Sequence, residues 1–313
     1  MALVQSEGIV LKTYALGDTS RIVVVYTRDL GMVKMVAKGA RKLPSRFGAT
    51  LEPLSRSRFH FYHRSDRELH LLSKTDPLAA AGLKLADLAR LAHAQAALEL
   101  LDRLLWGDEP HPELYDLLAA SLEATIAAPI AQLPAITGAF QLQVAGLLGY
   151  RPRLDACANC GGALSPERLF SAARGGLMCA SCATSEPGVT RLSADALAGL
   201  SLLLSKPVAE AGKYVELRRA GEILRVVEQF LRHHFQRFQG LRSLEVLRSL
   251  DEAGTSARPA PGAAAAPKPG EADPIARDAL GASDGGPGSR LKPGNEPGSR
   301  RKPRGFRDAA HLR

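Results

Sequence analysis

Two cysteine pairs, Cys157-x2-Cys160 and Cys179-x2-Cys182, separated by 18 residues, constrain this chain more than any other feature. Each pair can chelate from one tight turn, and Gly161-Gly162 gives the first turn its backbone freedom. Four thiolates complete a closed tetrahedral shell, the arrangement expected around one structural Zn2+. Such a shell leaves no open position for a catalytic water, so its expected work is folding a small ribbon, worth on the order of 10 kcal/mol. All 4 cysteines fall within residues 157–182. That clustering points to a metal in a reducing compartment more than to a secreted disulfide framework. Redox-active pairs are the competing reading, though no thioredoxin-like pattern surrounds them.

The second constraint is the stretch KMVAKGARKLPSR, which carries five cations (Lys34, Lys38, Arg41, Lys42 and Arg46) and no acid. It reads as a strand that breaks at Gly39 into a loop. Strand alternation puts Val33, Met35 and Ala37 on one face and Met32, Lys34, Val36 and Lys38 on the other. Cations repeated along one face and its following loop suit a polyphosphate backbone. Lysines also protect sheet edges from pairing, which is the simpler alternative. The charge distribution favours the first reading. Residues 1–80 hold 13 bases against 7 acids, residues 81–250 hold 17 of each, and residues 251–313 hold 11 against 8. An excess focused in this way is an electrostatic footprint. Arg56 and Arg58 extend the same basic segment. In FHFYH, Phe59 and Phe61 share a core-facing side, while His60 and Tyr62 face outward, where Tyr62 is placed to stack on a base.

The texture of the chain divides it. Five short strands, Ile9–Tyr14, Ile22–Tyr26, Met32–Lys38, Arg58–Tyr62 and Glu68–Leu72, fit an OB-fold barrel; a small SH3-like barrel has a similar pattern. From Leu78 to Leu105 leucines recur at helical spacing, and helices follow at Leu114–Ala128 and Leu133–Leu148. Ser193 is an N-cap, and a long helix is expected over 214–238. The expected fold class is therefore α+β and multidomain: an OB-fold barrel over 1–77, a helical bundle over 78–150 and 191–252, and a zinc ribbon inserted at 151–190. Beyond residue 253 the sequence is rich in Ala, Gly and Pro and ends in a basic cluster from Arg290 to Arg307. Such a composition is expected to stay disordered. His233-His234 reads as a packed or solvated pair on the long helix.

The chain has no apolar run of membrane-spanning length and no signal-peptide pattern at its start, so a cytoplasmic protein is expected. It has no phosphate-binding Gly-rich loop, no HExxH, no nucleophile elbow and no acidic cluster suited to two metals. Nothing in it asks for an enzyme. A zinc-ribbon transcription factor and a zinc-dependent nucleic-acid hydrolase remain as rival classes.

These residues carry a family resemblance. EGIVLKTYALGDTSRIVVVYTRDLG, then VAKGARKLPSR, GLLGYRPRLDACANC and the helix ending FLRHHF resemble the bacterial RecO family over residues 1 to about 250. The resemblance implies a recombination mediator that binds single- and double-stranded DNA and anneals strands without ATP. It also implies contacts with RecR and single-strand-binding protein, help in loading RecA, a functional link to RecF, and work at the nucleoid. By the same resemblance, Lys34, Lys38, Arg41, Lys42 and Arg46 fall in the family's DNA-contacting region and the four cysteines are its zinc ligands. The tail beyond residue 253 departs from the family pattern.

Overall fold

The computed structural model describes residues 2–64, 66–79, 87–105, 109–214 and 217–256. The tail expected to be disordered from residue 253 lies outside them from residue 257 onward, whereas residues 253–256 finish the helix Arg242–Ser256. Strands β1 (Ala2–Leu16), β2 (Ser20–Thr27), β3 (Gly31–Ala37), β4 (Arg56–His63) and β5 (Leu69–Ala79) close a barrel in the order β1-β2-β3-β5-β4. β3 and β5 pair in parallel and the other pairs are antiparallel. This is the five-stranded Greek-key closure of an OB-fold. Its interior is filled by Val10, Val23, Val25, Val33, Met35, Phe59, Phe61 and Leu72. Gly8 pairs with both Thr27 and Ser57, where β1 bends from one neighbour to the other. A Cβ there would sit 2.4 Å from Val25 Cγ1, so only glycine fits the closure.

In β1 the run Ile9-Val10-Leu11 is buried on both faces. Val10 faces the barrel interior, whereas Ile9 and Leu11, with Tyr26 and Leu54, join the core of the helical part. Helices α1 (Leu88–Leu104), α2 (Pro112–Ala127) and α3 (Leu133–Leu147) build that part first. Then come the small sheet of β6 (Leu169–Ser171), β7 (Gly176–Met178) and β8 (Thr190–Arg191), and α4 (Ala180–Ala183). The bundle resumes with α5 (Ala194–Ser205), α6 (Ala211–Tyr214), α7 (Leu217–His234) and α8 (Arg242–Ser256). Residues from α1, α2, α3, α5 and α7 share one apolar core, so the bundle is interrupted in sequence but continuous in space. α3 runs through its middle. At Gly138 a Cβ would meet Leu203 and Leu224 at 3.3 Å, so α5 and α7 pack close against its backbone.

Two expected boundaries move. Leu78 and Ala79 end β5 instead of opening a helix, because Pro77 and Ala79 still pair with Ser57 and Arg56 of β4. Residues 80–86 lie outside the described ones, and α1 begins after Asp87, whose carboxylate caps the Arg90 N–H. The long helix expected over 214–238 stops at His234. A turn then returns Phe238 to the core, helped by Gly240 at φ +106. Ser193 does cap α5, accepting from the Ala196 N–H.

His93 of α1 sits inside the bundle with Nδ1 2.7 Å from Thr137 Oγ1. Burial lowers its pKa from 6.5 to about 4. The unfolded chain therefore binds a proton that the folded chain refuses, and stability falls as pH drops through that window. Between pH 7 and pH 5 the loss from this residue should be about 2 kcal/mol. Urea titrations of the wild type and of His93→Gln check this: the variant should lose that part of the pH dependence, and equal slopes would contradict the assignment.

Candidate metal centre and nucleic-acid interface

The four cysteines meet. Their Sγ atoms all lie within 4.8 Å of one another, and Cys160 and Cys179, one from each pair, are 3.8 Å apart. A tetrahedron with Zn–S bonds of about 2.3 Å has edges of about 3.8 Å. The first pair sits in a turn closed by Gly161 N–H to Cys157 O at 2.8 Å, with Gly161 at φ +73. The second pair spans the start of α4, with Ala183 N–H bonding Cys179 O at 3.0 Å.

Backbone donors point at the sulfurs. N–H groups of Cys160 and Cys179 lower the Cys157 thiol to about 6. The Ser181 hydroxyl, 3.2 Å away, and the Cys182 N–H lower Cys179. At Cys160 the Gly162 N–H also favours the thiolate, but the crowded thiols of Cys157, Cys182 and Cys179 outweigh it and raise the group to about 11. Sulfurs packed this closely cannot all carry charge unless a cation offsets their repulsion. The donor set therefore fits a metal ion, with Cys157, Cys160, Cys179 and Cys182 as its ligands.

Chain geometry seats this knuckle. Arg153 N–H bonds Gly175 O and Leu177 N–H bonds Arg153 O, both at 2.9 Å, laying the approach segment along β7. A Cβ on Gly176 would stand 2.3 Å from Arg153 O, so the two backbones meet only because residue 176 is glycine. Gly176→Ala should cost about 1–3 kcal/mol and weaken metal retention. Denaturant melts and competition with a chromogenic chelator check this; wild-type values for both would show that the segments part without penalty.

The basic stretch lies on the barrel, away from the helices. In register, Lys34 stands opposite Leu69, and Val36 and Tyr62 both stand opposite Leu71. Val36, Lys38, Tyr62, Leu69 and Leu71, with Arg64 and Arg67 at the rim, line a groove of about 610 Å³ over β3, β5 and β4. Lys34 pairs with Glu68 at 3.2 Å, and Arg64 and Arg67 pair with Asp66, all at exposed positions. Such surface pairs are worth little and exchange readily. Among the described residues Lys38 and Lys42 make no ion pair. Arg41 donates to Gly17 O at 2.7 Å, fastening its loop to the β1–β2 turn, and Arg46 lies over the Phe47 ring at 4.6 Å.

Arg56 and Arg58 are placed elsewhere. Both reach Glu7, at 3.4 and 3.2 Å. Arg56 also bonds Tyr115 Oη and Glu123 on α2, so its charge is engaged where barrel and helices meet. Arg64, which ends the basic segment, belongs to the groove, and so do Arg67, Leu69 and Leu71, which the sequence reading did not single out. The signal was present in LHLL: two leucines face outward on β5, where Leu69 is 40% exposed, while His70 between them is buried.

Barrel, bundle and knuckle together define an OB-fold protein whose helical part carries a four-cysteine insert with a donor set that fits a metal ion. The family model described as "Recombination protein O N terminal" matches residues 1–81, and "Recombination protein O C terminal" matches 85–245. The DNA repair protein RecO of Anaeromyxobacter dehalogenans strain 2CP-C is 37% identical over 257 residues, covering 81% of this chain and 98% of its own. That of Streptomyces griseus is 38% identical over 250 residues, covering 78% and 98%. That of Rubrobacter xylanophilus is 36% identical over 239 residues, covering 75% and 93%. The chain belongs to the RecO family of DNA repair proteins.

Proposed function

We propose that this protein is a DNA-binding recombination mediator that anneals complementary strands without ATP. The observation that carries the reading is the outer face of β3, β5 and β4. Lys38 stands there without an ion pair among the described residues, beside Tyr62, Val36 and Leu71. Phosphates take the cations of this face and of the loop after it, which offsets repulsion between two strands. Base edges stay free to pair because the contacts go to the backbone. Lys34, Lys38, Arg41, Lys42 and Arg46 are the proposed phosphate contacts, and Tyr62 the stacking residue. Arg58 stands at the margin, and Arg56 serves the seam with α2. The protein works with RecR and single-strand-binding protein to help load RecA, with RecF in the same process. No described helix is long and apolar enough to cross a membrane.

The metal is proposed to be one Zn2+ per chain, because four thiol donors at tetrahedral spacing suit that ion and fill its shell with no place for a reacting water. Atomic emission on the purified chain should read one zinc; iron or no metal would overturn this assignment.

Annealing tests the function. Complementary oligonucleotides coated with single-strand-binding protein should anneal faster with the full chain, without ATP, than when coated alone. The double variant Lys38→Glu/Arg41→Glu should lose most of that acceleration. Its single-strand affinity should fall about tenfold and its salt slope by about 1.4, two phosphates at about 0.7 each. Failure to accelerate even with RecR present would sink the annealing reading. Unchanged affinity and slope in the variant would move the contact off this face.

A further inference from the structure

Leu43 is the most exposed large apolar side chain of the described structure, at 97%. A single exposed leucine needs no explanation on most surfaces. This one is set apart by its company and by how its loop is held. Arg41, Lys42 and Arg46 surround it in sequence, all exposed, and no acid occurs between Lys34 and Leu51. On either side of it Ala40 and Phe47 are buried in the barrel core, so the loop is anchored at both shoulders. Arg41 fixes it again, its N–H bonding Thr19 O at 2.9 Å and its guanidinium bonding Gly17 O at 2.7 Å. The neighbouring β1–β2 hairpin, which Arg41 grips, also exposes Tyr14 and Leu16. Leu43 is thus an exposed apolar tip on a loop anchored at both ends, flanked in sequence by three exposed cations.

We propose that Leu43 is a wedge that enters the base stack of a single nucleic-acid strand held by the surrounding cations, and that it sets a preference for single over double strands. The inference rests on the nucleic-acid reading above and adds the mode of contact. Charge brings a phosphate backbone to this loop, and the backbone carries bases on its other side within reach of a projecting side chain. Leucine and proline are among the apolar residues that part base steps, and Leu43 is followed by Pro44. In a duplex, parting a paired step costs about what burying one leucine returns, so the wedge gains almost nothing there. In a single strand no pairing is strained, and the burial is kept as binding energy. The same residue therefore strengthens one form of the ligand and leaves the other nearly unchanged.

Fluorescence anisotropy of the full chain with a labelled oligonucleotide and with its duplex tests this. Leu43→Ser should weaken single-strand binding about tenfold, shift duplex binding by less than about twofold, and leave the salt slope unchanged. Leu43→Met should bind single strands as the wild type does. The side chain touches almost nothing, so Leu43→Ser should melt with the wild type, which separates a lost contact from a lost fold. Two outcomes overturn the wedge: both affinities unchanged in Leu43→Ser, or both weakened equally. If Lys38→Glu/Arg41→Glu weakens binding while Leu43→Ser does not, the cationic face stands and the wedge alone falls. If the wild type binds neither oligonucleotide, both readings fall together.

Discussion

Ile9, Leu11 and Tyr26 point out of the barrel, and all three are buried. They enter the helical core, and this seam decides what the rest of the molecule is free to do. Each apolar side chain of this size is worth about 1.5–3 kcal/mol when taken from water. Polar pairs bracket the seam: Lys12 with Asp102 at 2.6 Å, Arg28 bidentate on Asp116, and Arg56 among Glu7, Tyr115 and Glu123. With one flank of the barrel committed to the helices, the β3-β5-β4 face is left outward. The position of the cationic groove follows from which strands the helices cover.

The seam also sorts the basic residues into two kinds. Lysines and arginines close in sequence have different duties because β4 lies between the two flanks. Arg56, at its start, is turned into the contact with α2, whereas Tyr62, near its end, faces the groove. Arg56 is partly desolvated and held by three partners, so releasing it to a phosphate would leave Glu7 and Tyr115 short of a bond. The pairs of Lys34 and Arg64 are exposed and bind weakly, so a phosphate would displace their acids at little cost. Net charge alone does not make this distinction; placement does.

That difference explains what could be read in the sequence. The barrel strands were legible because Phe59 and Phe61 alternate with Arg58 and His60, and Val33 and Met35 flank Lys34, and the period of two survives in the fold. The cysteine quartet was legible because chelation fixes its spacing. The start of α1 was not, because Ala and Leu after Asp76 suit strand and helix alike, and the pairing of Ala79 with Arg56 is decided by a strand distant in sequence. The end of α7 was not, because Phe238 keeps the helical spacing while reaching the core through a turn. The partners of Arg56 could not be read for the same kind of reason: Tyr115 and Glu123 lie on a helix that only the tertiary fold brings near. Leu69 and Leu71 were read only as part of a strand, and the buried His70 between them inverts the usual pattern.

The knuckle is tied to this architecture through its apolar residues. Phe170 and Leu177, from the small sheet beside the cysteines, belong to the same core as α3, α5 and α7. A three-stranded sheet with strands of 3, 3 and 2 residues cannot hold its shape by pairing alone. Coordination by four thiolates would fix the turns that aim β6 and β7, the strands that deliver Phe170 and Leu177 to the bundle. A metal held there would act at a distance from the cationic face but on the same scaffold. α3 packs on α5 and on α2, and α2 carries Tyr115 and Glu123 to the barrel seam. The four-cysteine site is in this way joined, through one continuous core, to the barrel that carries the proposed nucleic-acid face.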